Sequence, residues 1–268
     1  MQFHFSLNIF IFFFTTSLFI TFLIAKYSKF FFKGLLLDKD FLKPQSFHRI
    51  PIARSGGIAI FTLFALFILF YFIKFDIFLK DYFVISSLLF FLGFLDDLKI
   101  KISPNIRLTI MLLILALCIN FFSIQITISG LEFLNTWLEN NIFQISFVLL
   151  CFLFIINGAN LIDGYNGLLA IHFLIINFIL LGINLLNHHQ GLSLILIAQI
   201  IITFSFFLFN FPKAKIFLGD AGSYLCGSLI AINTIKTHQL NPELSSFFLH
   251  HFYFIFFFEV FFSFIRKC

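Results

Sequence analysis

The run GGIAIFTLFALFILFYFI, residues 56–73, carries no charged side chain. A membrane-spanning helix needs about 20 predominantly apolar residues, with roughly 17–25 as the usual range. A surface helix of a soluble domain would show a polar face over such a length, and this run has none. Similar runs recur at 5–25, 82–96, 107–123, 142–158, 167–187, 192–210, 223–236 and 246–265. Of the chain's residues 61% are hydrophobic and 11% are charged, against about 25% charged in a soluble domain. The sequence therefore predicts an all-α, polytopic transmembrane helix bundle of about nine spans, forming one integral-membrane domain over residues 1–268. The 49 phenylalanines stand beside a single tryptophan. That bias suits positions facing a lipid bilayer, and no nucleic-acid partner is expected.

The first run, around Leu7 to Ala25, is read as a membrane helix and not as a secretory signal. No basic stretch precedes it, whereas Lys26, Lys29 and Lys33 follow it, the reverse of a signal peptide's polarity. Of the 17 basic residues only Lys74, Lys80 and Lys236 fall in loops on one side; the rest fall in the alternate loops and at the chain's end. The positive-inside rule then places 26–55, 97–106, 159–166 and 211–222 in the cytoplasm, with the N-terminus outside and the C-terminus inside. Between spans, Ile124–Ile128 alternates apolar and polar residues before Gly130, which predicts a small β-hairpin. The four cysteines are scattered without a CxxC pair and read as small apolar side chains.

The polar residues that can carry chemistry lie in the expected cytoplasmic loops. Asp96 and Asp97 close an apolar helix, where the macrodipole disfavours anions. A bound cation would relieve that conflict, and a solvated loop with Lys99 and Lys101 as counter-charges is the equal alternative. Asn157, Asn160 and Asp163 recur on one helical face ahead of Gly164, Asn166 and Gly167. A polar stripe ending a membrane helix faces a cavity or a partner helix. Asp220 sits between Gly219 and Gly222 with Ser223 beyond. It suits Mg²⁺, which takes few carboxylates plus phosphate and water oxygens, and equally suits an N-cap. His48, Arg49 and Arg54 beside Gly56 and Gly57 suit anionic ligands or a basic loop at the membrane surface. Taken together on one membrane face, these segments point to Mg²⁺-dependent chemistry on phosphates. Phosphate-loop, dinucleotide, zinc-helix and nucleophile-elbow patterns are not found in the sequence.

The same residues resemble the polyprenyl-phosphate N-acetylhexosamine-1-phosphate transferases, membrane enzymes that begin bacterial cell-wall and surface-glycan synthesis. The resemblance runs, in order, through Lys43-Pro44-Gln45 with His48 and Arg54-Ser55-Gly56-Gly57, then Asp96-Asp97 with Ser103-Pro104 and Arg107. It continues through Asn157 to Gly167, Phe217 to Ser223, and Glu259 with Phe262-Ser263 and Arg266-Lys267. It implies transfer of a sugar-1-phosphate from a UDP-N-acetylhexosamine to a polyprenyl phosphate, with release of UMP, at the cytoplasmic face of the bacterial inner membrane. Carried over residue by residue, Asp220 would hold Mg²⁺ and Phe217 would stack on the uracil. Asn160, Asp163 and Asn166 would hold the nucleotide, His48 and Arg54 would meet anionic groups, and Asp96 and Asp97 would be the catalytic pair beside the lipid phosphate or the metal. Asn166 stands where many members have Asp. Members usually continue past the Arg-Lys motif with a His-containing loop and another span, whereas this sequence ends at Cys268; the expectation is a truncated chain with little or no activity. A secondary transporter or lipid flippase is the alternative class, although such proteins place their sites near the bilayer midplane.

Overall fold

The computed structural model describes residues 7–38, 51–100, 102–126, 128–244 and 254–265. Helix α1 (Leu7–Tyr27) runs into a 3₁₀ turn (Ser28–Gly34), followed by strands β1 (Leu37–Asp38) and β2 (Ile52–Arg54). Helices α2 (Gly56–Phe75), α3 (Lys80–Asp97), α4 (Pro104–Phe121), α5 (Glu132–Leu138), α6 (Asn141–Ile162), α7 (Leu168–Leu186) and α8 (Gln190–Asn210) come next. Strand β3 (Ile216–Phe217), α9 (Gly219–Leu240) and α10 (Phe254–Ile265) complete the described order. The fold is an all-α bundle with one small sheet at the end that carries the polar motifs.

Each expected apolar segment overlaps one of these helices, the last over residues 254–265, with 246–253 outside the described residues. Six of them, those over Leu7–Phe31, Gly56–Phe75, Pro104–Phe121, Asn141–Ile162, Leu168–Leu186 and Gln190–Asn210, are long and apolar enough to cross a membrane. The other three depart from that description for separate reasons. Helix α3 carries Lys80, Asp81, Asp96 and Asp97 at its ends. Helix α9 is almost wholly buried and is rich in small and polar residues such as Gly222, Ser223, Ser228, Asn233 and Thr237. Helix α10 has 12 described residues.

Local chemistry starts and stops the helices as sequence rules require. Ser103 Oγ accepts from Ile106 N at 3.4 Å, with Pro104 in the first turn of α4, where its missing N–H costs nothing. Asn140 Oδ1 accepts from Ile142 N and Phe143 N at 3.0 and 3.3 Å to begin α6. The hairpin expected over Ile124–Ile128 is not formed among the described residues. The carbonyls of Gln125 and Ile126 instead accept from the side-chain amides of Gln239 and Gln144, both at 3.1 Å. The strands lie elsewhere, in the order β1-β2-β3, with β1–β2 antiparallel and β2–β3 parallel.

Helix α9 is the hub and packs against α2, α3, α6 and α7. Its far half is tied to its neighbours by a buried amide cluster. Tyr82 Oη donates to Asn233 Oδ1 at 2.8 Å, and Asn233 Nδ2 donates to Asn177 Oδ1 and Gln199 Oε1 at 2.9 and 2.6 Å. Polar groups left unpaired in an apolar medium would each cost several kcal/mol (~), so the cluster fixes α3, α7, α8 and α9 in one register.

Helix α10 docks on α6 at Gly158, where a Cβ would stand 2.6 Å from Phe256 Cβ and 2.7 Å from Phe256 O. Gly158→Val is therefore expected to push α10 off α6. Cysteines introduced by Phe154→Cys and Phe257→Cys, at positions whose rings lie 5.1 Å apart, should form a disulfide in the parent and fall to background cross-linking in the Gly158→Val chain. Equal yields would reject this packing.

Candidate active site

The end of α3 and the start of α9 are built against each other. At Gly93 a Cβ would stand 2.6 Å from Asp220 C and 2.7 Å from Ala221 N, and closer still to Asp220 O. Only a residue without a side chain lets the two backbones meet here. One turn later Asp97 crosses to α9: its Oδ1 accepts from Asp220 N at 3.1 Å and its Oδ2 from Ala221 N at 2.9 Å. Gly219 precedes them at φ +78°, a left-handed conformation that disfavours other residues, and a Cβ there would stand 2.6 Å from Asp97 Oδ2. The positive N-terminus of α9 thus answers the macrodipole conflict that the sequence posed for Asp97.

The Asp97 side chain has no exposure. Burial first, and then the charge of Asp220, push its carboxyl up to about 7, against the N–H bond from Ala221, the charge of Arg54 and the N–H bond from Asp220. Arg54 Nη1 lies 3.7 Å from Asp97 Oδ1 and Nη2 2.8 Å from Asp38 Oδ2. Arg54 is thus committed to two carboxylates. The neighbouring glycines serve packing: a Cβ at Gly57 would stand 2.8 Å from Gly222 Cα. This differs from a glycine loop opened for an anion.

Asp220 itself turns into the cluster with 29% of its side chain exposed. Its Oδ1 accepts from Asn160 Nδ2 at 3.1 Å, and Asn160 also donates to Ser223 Oγ at 2.9 Å. Its Oδ2 lies 3.6 Å from Arg107 Nη1. Arg107 is ion-paired to Asp96 Oδ2 and sits 5.7 Å over the ring of Tyr224, a cation–π contact. Ser223 Oγ donates to Asp220 O at 3.1 Å, so Asp97, and neither Asp220 nor Ser223, caps the first turn.

Asp163 follows α6 as its cap residue. The residue keeps intermediate exposure, yet desolvation and the charges of Asp220 and Asp97 push its carboxyl well above the usual range, against the opposing charge of Arg54. The expected stripe divides here. Asn160 and Asp163 join Asp220, whereas Asn157 Nδ2 donates to Leu153 O at 2.8 Å in its own helix and lies 3.9 Å from Met111 Sδ. Asn166 is exposed and donates to Pro212 O at 3.2 Å. Phe217 pairs with Arg54 in the parallel β2–β3 register, at the edge of the cluster. His48, together with Lys43, Pro44, Gln45, Arg266 and Lys267, lies outside the described residues.

Sequence reading missed three contributors. Tyr224 follows Asp220 by one helical turn, and that i, i+4 spacing was the available signal. Asn210 accepts from Gly167 N at 2.5 Å and donates to Ile216 O at 2.8 Å, pinning the loop ahead of Asp220. Gly93 gave no sign that it marks a helix crossing.

Three carboxylates, Asp96, Asp97 and Asp220, meet two guanidinium groups, those of Arg54 and Arg107, and Asp163 feels the charges of Asp220, Asp97 and Arg54. Arg54 is shared with Asp38. The crowding that pushes up the carboxyls of Asp97 and Asp163 is what a bound divalent cation would relieve. Among the described residues no group of three or more His, Cys, Asp or Glu side chains could hold a metal unaided. A Mg²⁺ ion at Asp220 would have to draw most of its ligands from phosphate and water.

The fold and this site define a polytopic α-helical membrane protein with an acidic and basic cluster at one end of the bundle. The sequence profile of the family described as Glycosyl transferase family 4 matches residues 79–238, which span α3 to α9. The chain belongs to that family. It is similar to the phospho-N-acetylmuramoyl-pentapeptide-transferase of Streptococcus pyogenes serotype M6, with 35% identity over 156 residues, 55% of this chain and 46% of the relative. The proteins of the same name from S. pyogenes serotype M3 and Streptococcus agalactiae serotype Ia match to the same extent. The match thus spans about half the length of these relatives. Neither the family nor the relatives lend support to a transporter or flippase.

Proposed function

We propose that the protein transfers a sugar-1-phosphate from a UDP-N-acetylhexosamine to a polyprenyl phosphate, releasing UMP, with Mg²⁺ as cofactor. The reaction begins cell-wall or surface-glycan synthesis at the cytoplasmic face of the bacterial inner membrane. One observation carries the reading. Asp220 is held at the start of a buried helix with Asn160 on one oxygen and Arg107 near the other, all within the region matched by the family. The relatives' printed name, a phospho-sugar-peptide transferase, supports the reaction class. The one-sided distribution of basic residues supports nine spans with this end of the bundle inside.

In the reaction, a phosphate oxygen of the lipid attacks the sugar-bearing phosphorus of the UDP-sugar. The bond from that phosphorus to the bridging oxygen breaks, and UMP leaves with the electron pair. A phosphate monoester has its second pKa near 6 (~), so the attacking group is largely ionised and needs no dedicated base. Mg²⁺ held by Asp220 would supply charge neutralisation on the diphosphate. Arg107, poised between Asp96 and Asp220, binds phosphate oxygens. Asn160 and Asp163 orient the nucleotide, Phe217 stacks on the uracil, and His48, Arg54 and Asn166 would add to substrate binding, Arg54 by exchanging part of its pairing with Asp38 and Asp97. Positioning and charge carry such transfers.

The test measures UMP release from several UDP-N-acetylhexosamines by the full gene product in membranes. Release should require both polyprenyl phosphate and Mg²⁺. Absence of UMP from folded protein with every donor tried would reject the reading.

A further inference from the structure

We propose that Asp97 is a positioning residue that builds the amino end of α9 and thereby aims Asp220, leaving Asp96 as the member of the acidic pair that meets ligand. The two carboxylates are adjacent in sequence and each has an arginine nearby, but they differ in exposure and in what their oxygens hold. Asp97 has a side chain without exposure and spends one oxygen on each of two backbone amides, those of Asp220 and Ala221. Its carboxylate is wedged where any Cβ at Gly219 would collide with it. To touch a phosphate it would have to break both charge-assisted bonds and open the α3–α9 crossing. Asp96 keeps 12% side-chain exposure and pairs with Arg107, which also reaches toward Asp220. Asp96, Arg107 and Asp220 therefore form a contiguous, partly open edge, while Asp97, braced by Arg54 at 3.7 Å, lies beneath it.

The chemistry of the cap makes the split measurable. An amide in place of the Asp97 carboxylate offers one acceptor oxygen and an N–H₂ group that only donates. It can satisfy only one of the two N–H groups, and its own N–H₂ faces the other. Hydrogen exchange of the ligand-free full chain, read at Asp220 and Ala221, should quicken roughly tenfold or more in Asp97→Asn, the loss of one charge-assisted bond. Asp96→Asn should leave those amides unchanged. The second reading is Mn²⁺ binding followed by electron paramagnetic resonance, which a merely structural residue would not move at a temperature where the variant is folded. Half-saturation should shift upward roughly tenfold in Asp97→Asn because Asp220 loses its aim.

Unchanged exchange or unchanged Mn²⁺ half-saturation in folded Asp97→Asn overturns the proposal. If that variant does not fold, the parent decides: amides of Asp220 and Ala221 that exchange as fast as an open loop overturn it, and slow exchange upholds it. The Mn²⁺ reading rests on the transferase function proposed above. A parent that binds no Mn²⁺ and releases no UMP sinks that function, and the exchange measurement still decides the role of Asp97.

Discussion

Asp220→Asn should lower UMP release by roughly 10²–10³-fold at saturating Mg²⁺ while leaving the unfolding temperature near that of the parent. The contrast follows from which atoms do what. The fold uses the backbone of residue 220: its N–H is bonded to Asp97 and its carbonyl takes the Ser223 hydroxyl. The side-chain oxygen that accepts from Asn160 has a counterpart in the amide, so that contact survives. What is lost is the negative charge facing Arg107 at 3.6 Å, and with it the ligand proposed for Mg²⁺. Removal of that charge also lessens the like-charge load on Asp97 and Asp163, both of whose carboxyls Asp220 helps to push up. Stability therefore holds or rises slightly. Activity within about threefold of the parent would reject the metal role, since loss of a group acting on developing charge has a far larger effect. A protein that no longer folds would show that the side chain, and not the backbone, sustains the crossing.

How much of this was legible in the sequence depends on the range of the interaction concerned. Apolar runs report their own solvent, so the helices over 56–75 and 190–210 needed no tertiary knowledge. Residue type and helical spacing singled out Asp220 and Asn160, and the structure joins the two by a hydrogen bond at 3.1 Å. The assignment of the cap was not legible. Asp220 and Ser223 have good capping residue types, yet the bonds at the start of α9 go to Asp97, 123 and 124 positions away in sequence. Local rules rank candidates by proximity along the chain and cannot see a competitor delivered by another helix. The partner of Asn166 was out of sight for a related reason: its side chain donates to the carbonyl of Pro212, 46 positions away. Over the stretch Ile124–Ile128, where a hairpin was expected, the carbonyls of Gln125 and Ile126 accept amides from Gln239 and Gln144, again partners from other helices. Composition revealed the bundle; the crossing points that aim its polar residues depend on which small residues face one another.

Gly93→Ala tests that last point with a single methyl group. The added Cβ would meet Asp220 C at 2.6 Å and Ala221 N at 2.7 Å, with Asp220 O nearer still. These are backbone atoms that cannot rotate aside, unlike the end of a flexible side chain. Relief requires α3 and α9 to part, and the two bonds from Asp97 to the first amides of α9 stretch with them. Overpacking of this kind costs about 1–3 kcal/mol, and here the strain falls on the turn that presents Asp220. The expected result is a lower unfolding temperature together with a loss of UMP release larger than the destabilisation explains, because near-attack geometry tolerates little displacement. Gly182→Ala is the matched control: a Cβ at Gly182 meets nothing within 4 Å, and replacing a helix-interior glycine by alanine stabilises by roughly 0.5–1 kcal/mol. If both variants behave alike, the α3–α9 crossing is not the element that places Asp220. If only Gly93→Ala loses turnover, and its exchange at Asp220 and Ala221 quickens as in Asp97→Asn, then the glycine and the carboxylate act on the same turn. The acidic pair of α3 would then serve the site in two ways, one residue holding the helix and the other facing the ligand.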